Sequence, residues 1–268
     1  MGQQYIVRHG TMRLLGDFDA GESSTFAPRA RVVVRTERGH ELGQVLCETT
    51  DTTLGMLTEP THGDILRSVG PEDETALQRT KELSQKAFEA CERFIAAREL
   101  PMALVDVEPL LGGERIIFYF LAEKRVDFRE LVKDLAREFQ TRIELRQIGV
   151  RDEAKVLADY GDCGKPVCCN THMASMPPVS MRMAKLQKST LDPAKISGRC
   201  GRLKCCLRFE QDVYEEFQRE LPPPGARILT AKGQGRVLAQ EILARRLLVE
   251  FEDGRRVIVT KDEVLTRL

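Results

Sequence analysis

Six of the eight cysteines lie in two copies of one short pattern, CGKPVCC from Cys163 to Cys169 and CGRLKCC from Cys200 to Cys206. Corresponding cysteines are 37 residues apart (200 minus 163). Any fold of this chain must therefore present the same thiol-bearing turn twice. Glycine after the first cysteine permits a tight turn whose backbone N–H groups can face sulfur, and the four-residue spacer returns the next thiol toward the first. Core packing does not explain a duplicated spacing rich in glycine and basic residues, although cysteine is often buried. A thioredoxin-like redox site would carry a two-residue spacer in a βαβ setting, and neither copy does.

The surroundings decide what such thiols are for. The opening, MGQQYIVRHG, has no apolar run of signal-peptide length, its sixth position is Ile6 where a myristoylation signal has Ser or Thr, and no stretch reaches the roughly 18 apolar residues of a membrane span. A cytoplasmic location without membrane insertion is expected, and there reducing conditions disfavour a disulfide framework. Thiolates are soft ligands suited to tetrahedral zinc or an iron–sulfur cluster. The four-residue spacing favours the cluster, 4Fe–4S before 2Fe–2S, with zinc as the alternative. Side chains of adjacent residues diverge, so one of each Cys-Cys pair is surplus, and Cys168 and Cys205 are taken as the direct ligands beside Cys163 and Cys200. Cys169 and Cys206 stay in the candidate set. His172, in CCNTHM, reads as a polar loop residue before it reads as a further ligand. Cys47 and Cys91 sit in apolar patterns and read as core.

Charge adds a second signal. The 268 residues carry 41 basic and 41 acidic side chains, so total charge selects no partner. Between Cys163 and Phe209, however, nine basic residues face one acid, Asp192, a local net of +8. Part of it can offset thiolate charge, and Lys185, Lys188, Arg199, Arg202 and Lys204 are candidates for contact with RNA or a protein partner. Phe209 is the one aromatic there, which gives little support to base stacking.

Along the chain, YIVRH, TMRLLGDF, RVVVRT and LGQVLCE read as an antiparallel β region. Helical spacing from Pro71 to Arg98, strands MALVDVEPL and RIIFYFLAE around Gly112-Gly113, a second stripe from Phe128 to Phe139 behind a capping box of Asp127 and Glu130, and a strand in TRIELRQIG follow. With LGQVLCE as first strand, this order predicts a ferredoxin-like split βαβ sheet. After LPPPGAR, short β runs with turns at Gly233–Gly235 and Asp253-Gly254 predict a small SH3-like β-barrel. The expected class is α+β: residues 1–150 an α+β domain, 151–221 a Cys-rich metal-binding segment with a following helix, and 222–268 the barrel. No P-loop, dinucleotide fingerprint or Cys-His nucleophile pattern is found, so no enzyme is expected.

GDCGKPVCC, followed by PPVSMRMAKLQKSTLDPAKISGRCGRLKCCLRFE, closely resembles the signature of the bacterial YaaT/RicT family, built around a C-terminal domain shared with a yeast polymerase-suppressor protein. The resemblance runs from about RVVVRTERGHELGQV to LRFEQDVYEEF. It implies a cytoplasmic regulatory subunit joined to two small helical partner proteins in a complex with iron–sulfur clusters. Such a complex would promote RNA maturation by an endoribonuclease and influence sporulation and biofilm formation, with ligands drawn from Cys163, Cys168, Cys169, Cys200, Cys205 and Cys206.

Overall fold

The computed structural model describes residues 2–21, 24–157, 160–173 and 176–267. Five strands come first: β1 (Gln4–His9), β2 (Leu14–Asp19), β3 (Arg31–Thr36), β4 (Gly39–Glu48) and, after the short helix α1 (Asp51–Gly55), β5 (Thr61–Ser68). They close into a barrel in the order β1-β2-β5-β3-β4. Alternating residues fill it: Tyr5, Val7, Phe18, Val32, Val34, Val45 and Ile65 are buried together. Closure depends on the parallel step from β2 to β5, where Phe18 opposes Gly63. A Cβ on Gly63 would stand 2.1 Å from the Arg35 carbonyl oxygen and 2.9 Å from the Phe18 ring, so only glycine lets these strands meet.

Next come α2 (Pro71–Ala97), β6 (Ala103–Pro109), β7 (Arg115–Leu121), α3 (Arg129–Phe139) and β8 (Arg142–Gln147). The strands form a three-stranded sheet, β6-β7-β8, with β7 and β8 parallel. The helices cover one face, burying Ala87, Cys91, Phe118, Phe120, Leu131 and Leu135 in one core. Ile117, Tyr119, Val105, Ile148 and Met12 pack on the other. Coverage of both faces explains why RIIFYFL is apolar without alternation.

The expected ferredoxin-like sheet is corrected here. Gly39–Glu48 is not its first strand, because both edges of β4 are hydrogen-bonded inside the barrel, to β1 and to β3. The expected capping box also differs: Phe128 stands at the N-cap of α3, Asp127 accepts from the Arg129 backbone N–H at 3.2 Å, and Glu130 pairs with Lys133. Cys91 is core as expected, whereas Cys47 is only half-buried.

Buried charges join barrel to sheet. The Arg38 guanidinium, from the turn between β3 and β4, is ion-paired with Glu108 of β6, and its Nε lies 3.5 Å from Glu41 Oε1. Glu108 also accepts from the Tyr119 hydroxyl at 2.6 Å and the Thr11 backbone N–H at 2.7 Å. His9 Nδ1 lies 3.0 Å from Glu41 Oε2, and its Nε2 lies 2.8 Å from Thr61 Oγ1. Burial works against ionised Glu41, yet the His9 bond and charge, then Arg38 and Thr36, hold its carboxyl below the ordinary range. Burial likewise opposes ionised Arg38, and Glu108 foremost holds it charged.

The chain divides into two compact units, Met1–Met176 with Arg199–Gly201, and Pro177–Gly198 with Arg202–Leu268. The first continues through α4 (Val150–Leu157) into the segment of the first cysteine motif. The second holds α5 (Met181–Leu186), α6 (Pro193–Ile196), α7 (Cys206–Glu220) and strands β9 (Arg227–Thr230), β10 (Gly233–Glu241), β11 (Arg246–Phe251), β12 (Arg256–Thr260) and β13 (Val264–Arg267). Its strands make a five-stranded antiparallel sheet, β12-β11-β10-β9-β13. The proline-rich stretch expected to separate domains lies within this unit. Leu221 is buried in the sheet's core, and Gln240 Nε2 donates to the Pro222 carbonyl at 2.9 Å.

Gly63→Ala is expected to destabilise the first unit by roughly 1–3 kcal/mol, the usual cost of forcing an added carbon into a packed interior. Chemical denaturation checks this, and an unchanged midpoint would contradict the tight parallel junction.

Candidate metal centre

Each cysteine motif folds as the same small hairpin. In the first, Tyr160 and Pro166 form an antiparallel bridge, and the Gly161 N–H donates to the Lys165 carbonyl at 2.9 Å. In the second, Ser197 and Leu203 form the bridge, and Gly198 donates to Arg202 at 2.8 Å. The glycine after the first cysteine is left-handed in both, with φ of 74° at Gly164 and 72° at Gly201. A side chain at either position would be strained. The repeat therefore extends outward to Gly161 and Gly198, and the shared Gly-x-Cys is the sequence signal that pattern reading passed over.

Both hairpins run into a helical turn at the paired cysteines. Cys168 opens the 3₁₀ turn Cys168–Asn170, and its carbonyl accepts from the Met173 N–H at 3.0 Å. Cys205 is the N-cap of α7 and Cys206 its first residue, with the Cys205 carbonyl accepting from Arg208 and Phe209 at 3.0 and 3.1 Å. The unpaired N–H groups at the start of a helix favour negative charge, which a metal-bound sulfur there would carry. Cys163 and Cys206 are exposed, and Cys168, Cys169, Cys200 and Cys205 are half-buried. Although Cys206 lies at the surface, desolvation first and then Cys205 and Glu210 push its thiol up, so a metal there must displace a proton.

Cys163, Cys168, Cys169 and Cys200 belong to the first unit, which includes the tip of the second hairpin, Arg199–Gly201. That tip is held by the Arg199 Nε, which donates to the Tyr160 carbonyl at 3.3 Å. Cys205 and Cys206 belong to the second unit. Soft sulfur donors fit a thiophilic metal. The Asn170 side-chain oxygen, a hard donor that such a metal does not favour, is buried next in sequence to the Cys168-Cys169 pair without a hydrogen-bond partner. Among the described residues no group of three or more His, Cys, Asp or Glu is gathered at metal-holding distance, so binding needs the thiols to converge.

The basic candidates divide. Lys185, Arg199 and Arg202 are exposed and Lys204 is half-buried. Lys188 has a left-handed backbone, φ 51°, and its ammonium donates to the Gln240 carbonyl of β10, which gives it a structural task. His172 is exposed, with Nδ1 3.1 Å from Thr171 Oγ1. Lys155 of α4 was not singled out by sequence reading, because its neighbours are assembled by the fold. Desolvation lowers its pKa, Asp152 and the Cys169 sulfur oppose that shift, and Arg13 reinforces it.

Cys91 is a chemical contrast. Burial, reinforced by Glu92, pushes its thiol from 9.0 up to about 12. Its contribution to stability is complete below the unfolded thiol's value and is lost as pH rises from there through the folded value. Iodoacetamide at pH 8 should alkylate exposed Cys163 in the native protein and leave Cys91 unmodified, as peptide mass mapping reads out. Comparable labelling of Cys91 would contradict its placement in the core.

Two family descriptions match parts of the chain: the PSP1 C-terminal conserved region over residues 63–148, and the third domain of PSP1-like proteins over residues 178–221. The first spans β5 through β8, and the second takes in the hairpin of Cys200 to Cys206 with α7. No solved structure matches. An uncharacterised protein of Schizosaccharomyces pombe is 38% identical over 80 residues, 30% of this chain and 10% of that protein. Stage 0 sporulation protein YaaT of Bacillus subtilis is 45% identical over 235 residues, covering 87% of this chain and 85% of that protein. Identity of that extent shows that the chain belongs to the YaaT/RicT family, within the wider group of PSP1 proteins.

Proposed function

We propose that this protein is a non-enzymatic regulatory adaptor of bacterial developmental control, and that its cysteine hairpins hold an iron–sulfur cluster. The observation that carries this reading is the duplicated hairpin, with a left-handed glycine behind one thiol and a helical start under the next. The developmental role is supported by the similarity to a stage 0 sporulation protein. The cluster's ligands come from Cys163, Cys168, Cys169, Cys200, Cys205 and Cys206. Four of these thiols lie in the first unit alone, the number a four-iron cube takes. Cluster assembly supplies folding free energy by drawing separate thiols to one centre, and partner affinity then follows cluster occupancy.

The finer reading places the adaptor in RNA maturation, joined to small helical partner proteins and acting on an endoribonuclease from the cytoplasm. The exposed cations beside the hairpins support it, because they can meet phosphates or an acidic partner. Among the described residues no helix is long and apolar enough to cross a membrane. The C-terminal sheet, whose last strand follows a short 3₁₀ turn at Lys261–Glu263, supports the proposal of an SH3-like barrel.

Anaerobic purification with iron, zinc and acid-labile sulfide analysis tests the cofactor. Iron with sulfide is expected, lost on Cys163→Ser or Cys200→Ser and kept on Cys91→Ala. One zinc without iron would replace this reading with that of a zinc-stabilised RNA-binding module. A second measurement tests the basic face. Changing Lys185 and Arg202 together to glutamine should flatten the dependence of log affinity for a short single-stranded RNA on log salt by about 1.4, since about 0.7 counterions are released per phosphate contact. Metal content should survive. Unchanged RNA and partner affinity would assign these cations to solvent.

A further inference from the structure

The three-stranded sheet of the first unit stops at an open edge. β8 pairs with β7 alone, in parallel. The Ile148 N–H just beyond it donates to the Phe120 carbonyl at 2.9 Å, so the even-numbered residues of β8 turn their backbone groups toward β7. Those of Ile143, Leu145 and Gln147 point outward, and among the described residues no other strand takes them up. Such a row of unpaired groups is a template for another strand unless the chain blunts it. Elsewhere it does: β6 shifts register between Leu104 and Asp106 and ends on Pro109, and β13 shifts between Val264 and Thr266. The edge strand β12 carries one charge, Arg256, which is already paired with Glu250. β8 keeps an unbroken register over 6 residues and contains neither proline nor glycine.

Its side chains divide by face. Ile143 and Leu145 lie against the helix-covered core and are only partly buried. Arg142, Glu144 and Arg146 share the other face, one carboxylate between two guanidiniums. Arg115 Nη1 donates to Glu144 Oε2 at 2.8 Å, which leaves Oε1 able to accept a further bond. Arg142 and Arg146 are exposed, and among the described residues neither makes an ion pair.

We propose that β8 is a dimer interface, pairing antiparallel with β8 of a second copy of this chain about a two-fold axis at Leu145. The outward groups admit only registers in which odd-numbered residues oppose odd-numbered ones, and charge chooses among these. With the axis at Leu145, that residue exchanges both backbone bonds with its copy, and Ile143 does so with Gln147 of the second copy. Glu144 then stands opposite Arg146 of the second copy, twice, in the closely spaced pairs where side chains meet. An axis at Glu144 would set Glu144 against itself and Arg142 against Arg146. An axis at Ile143 also matches charge, but it draws Thr141 into the ladder, outside the strand and beside left-handed Gln140 with φ 50°. Backbone direction and charge complementarity together thus favour self-pairing, and two three-stranded sheets become one.

Sedimentation velocity of the full chain under reducing conditions, over a concentration series, tests this. A reversible dimer is expected. Arg146→Glu should raise its dissociation constant roughly tenfold or more, because Glu144 then faces a carboxylate of the other copy at both pairs. Combining Arg146→Glu with Glu144→Arg restores unlike charges and should return the constant to within about threefold of wild type. Thermal melting of the Arg146→Glu monomer should match that of dilute wild type, which separates a lost interface from a lost fold. A wild type still monomeric in the high micromolar range leaves this edge to a strand of another protein and overturns the second copy as its occupant. An Arg146→Glu dimer as tight as wild type, as a dimer made by the cysteine motifs or another edge would be, overturns the proposal. So does a double variant as weak as the single one.

Discussion

The Arg38 clamp is the constraint on which the first unit depends. One guanidinium faces Glu41 of the barrel and Glu108 of the sheet; the Tyr119 hydroxyl donates to the same Glu108 oxygen, Oε2, and the Thr11 N–H donates to Oε1. Ion pairs this deeply buried add little net stability, because desolvation offsets their attraction, but removing one partner leaves a buried charge uncompensated. The clamp therefore fixes which way the barrel meets the sheet. Ile148 and Val156 pack on the sheet's second face, and Val156 brings α4 to it.

Function follows from rigidity on one side and adaptability on the other. Barrel and sheet are closed by hydrogen bonds and apolar burial, whereas each hairpin is tied by a bridge and a few backbone bonds. The proposed cluster would draw on thiols that lie on these short loops and not in either core. This is the physical basis for the proposed regulatory element, whose order would depend on its metal.

Much of this was legible in the residues. Apolar spacing located α2 and α3, and the run RIIFYFL marked a strand, though not that both its faces are covered. The hairpins' equivalence was visible in the repeated glycine and thiol spacing. What the residues concealed was pairing. LGQVLCE alternates as any half-buried strand does, and nothing in it says that β1 and β3 claim both its edges. THGDILRS carries charge and glycine in place of an apolar run, so β5 and its parallel junction were hidden. Lys188 looked like its exposed neighbours, and only the fold brings Gln240's carbonyl to its ammonium.

The central claim is that the duplicated hairpins are half-sites for an iron–sulfur centre. X-ray absorption at the iron edge, on protein purified without oxygen, reads it most directly. The account predicts iron with a first shell of sulfur alone and a second shell of iron. Iron surrounded by nitrogen or oxygen, or a protein carrying zinc and no iron, would contradict it.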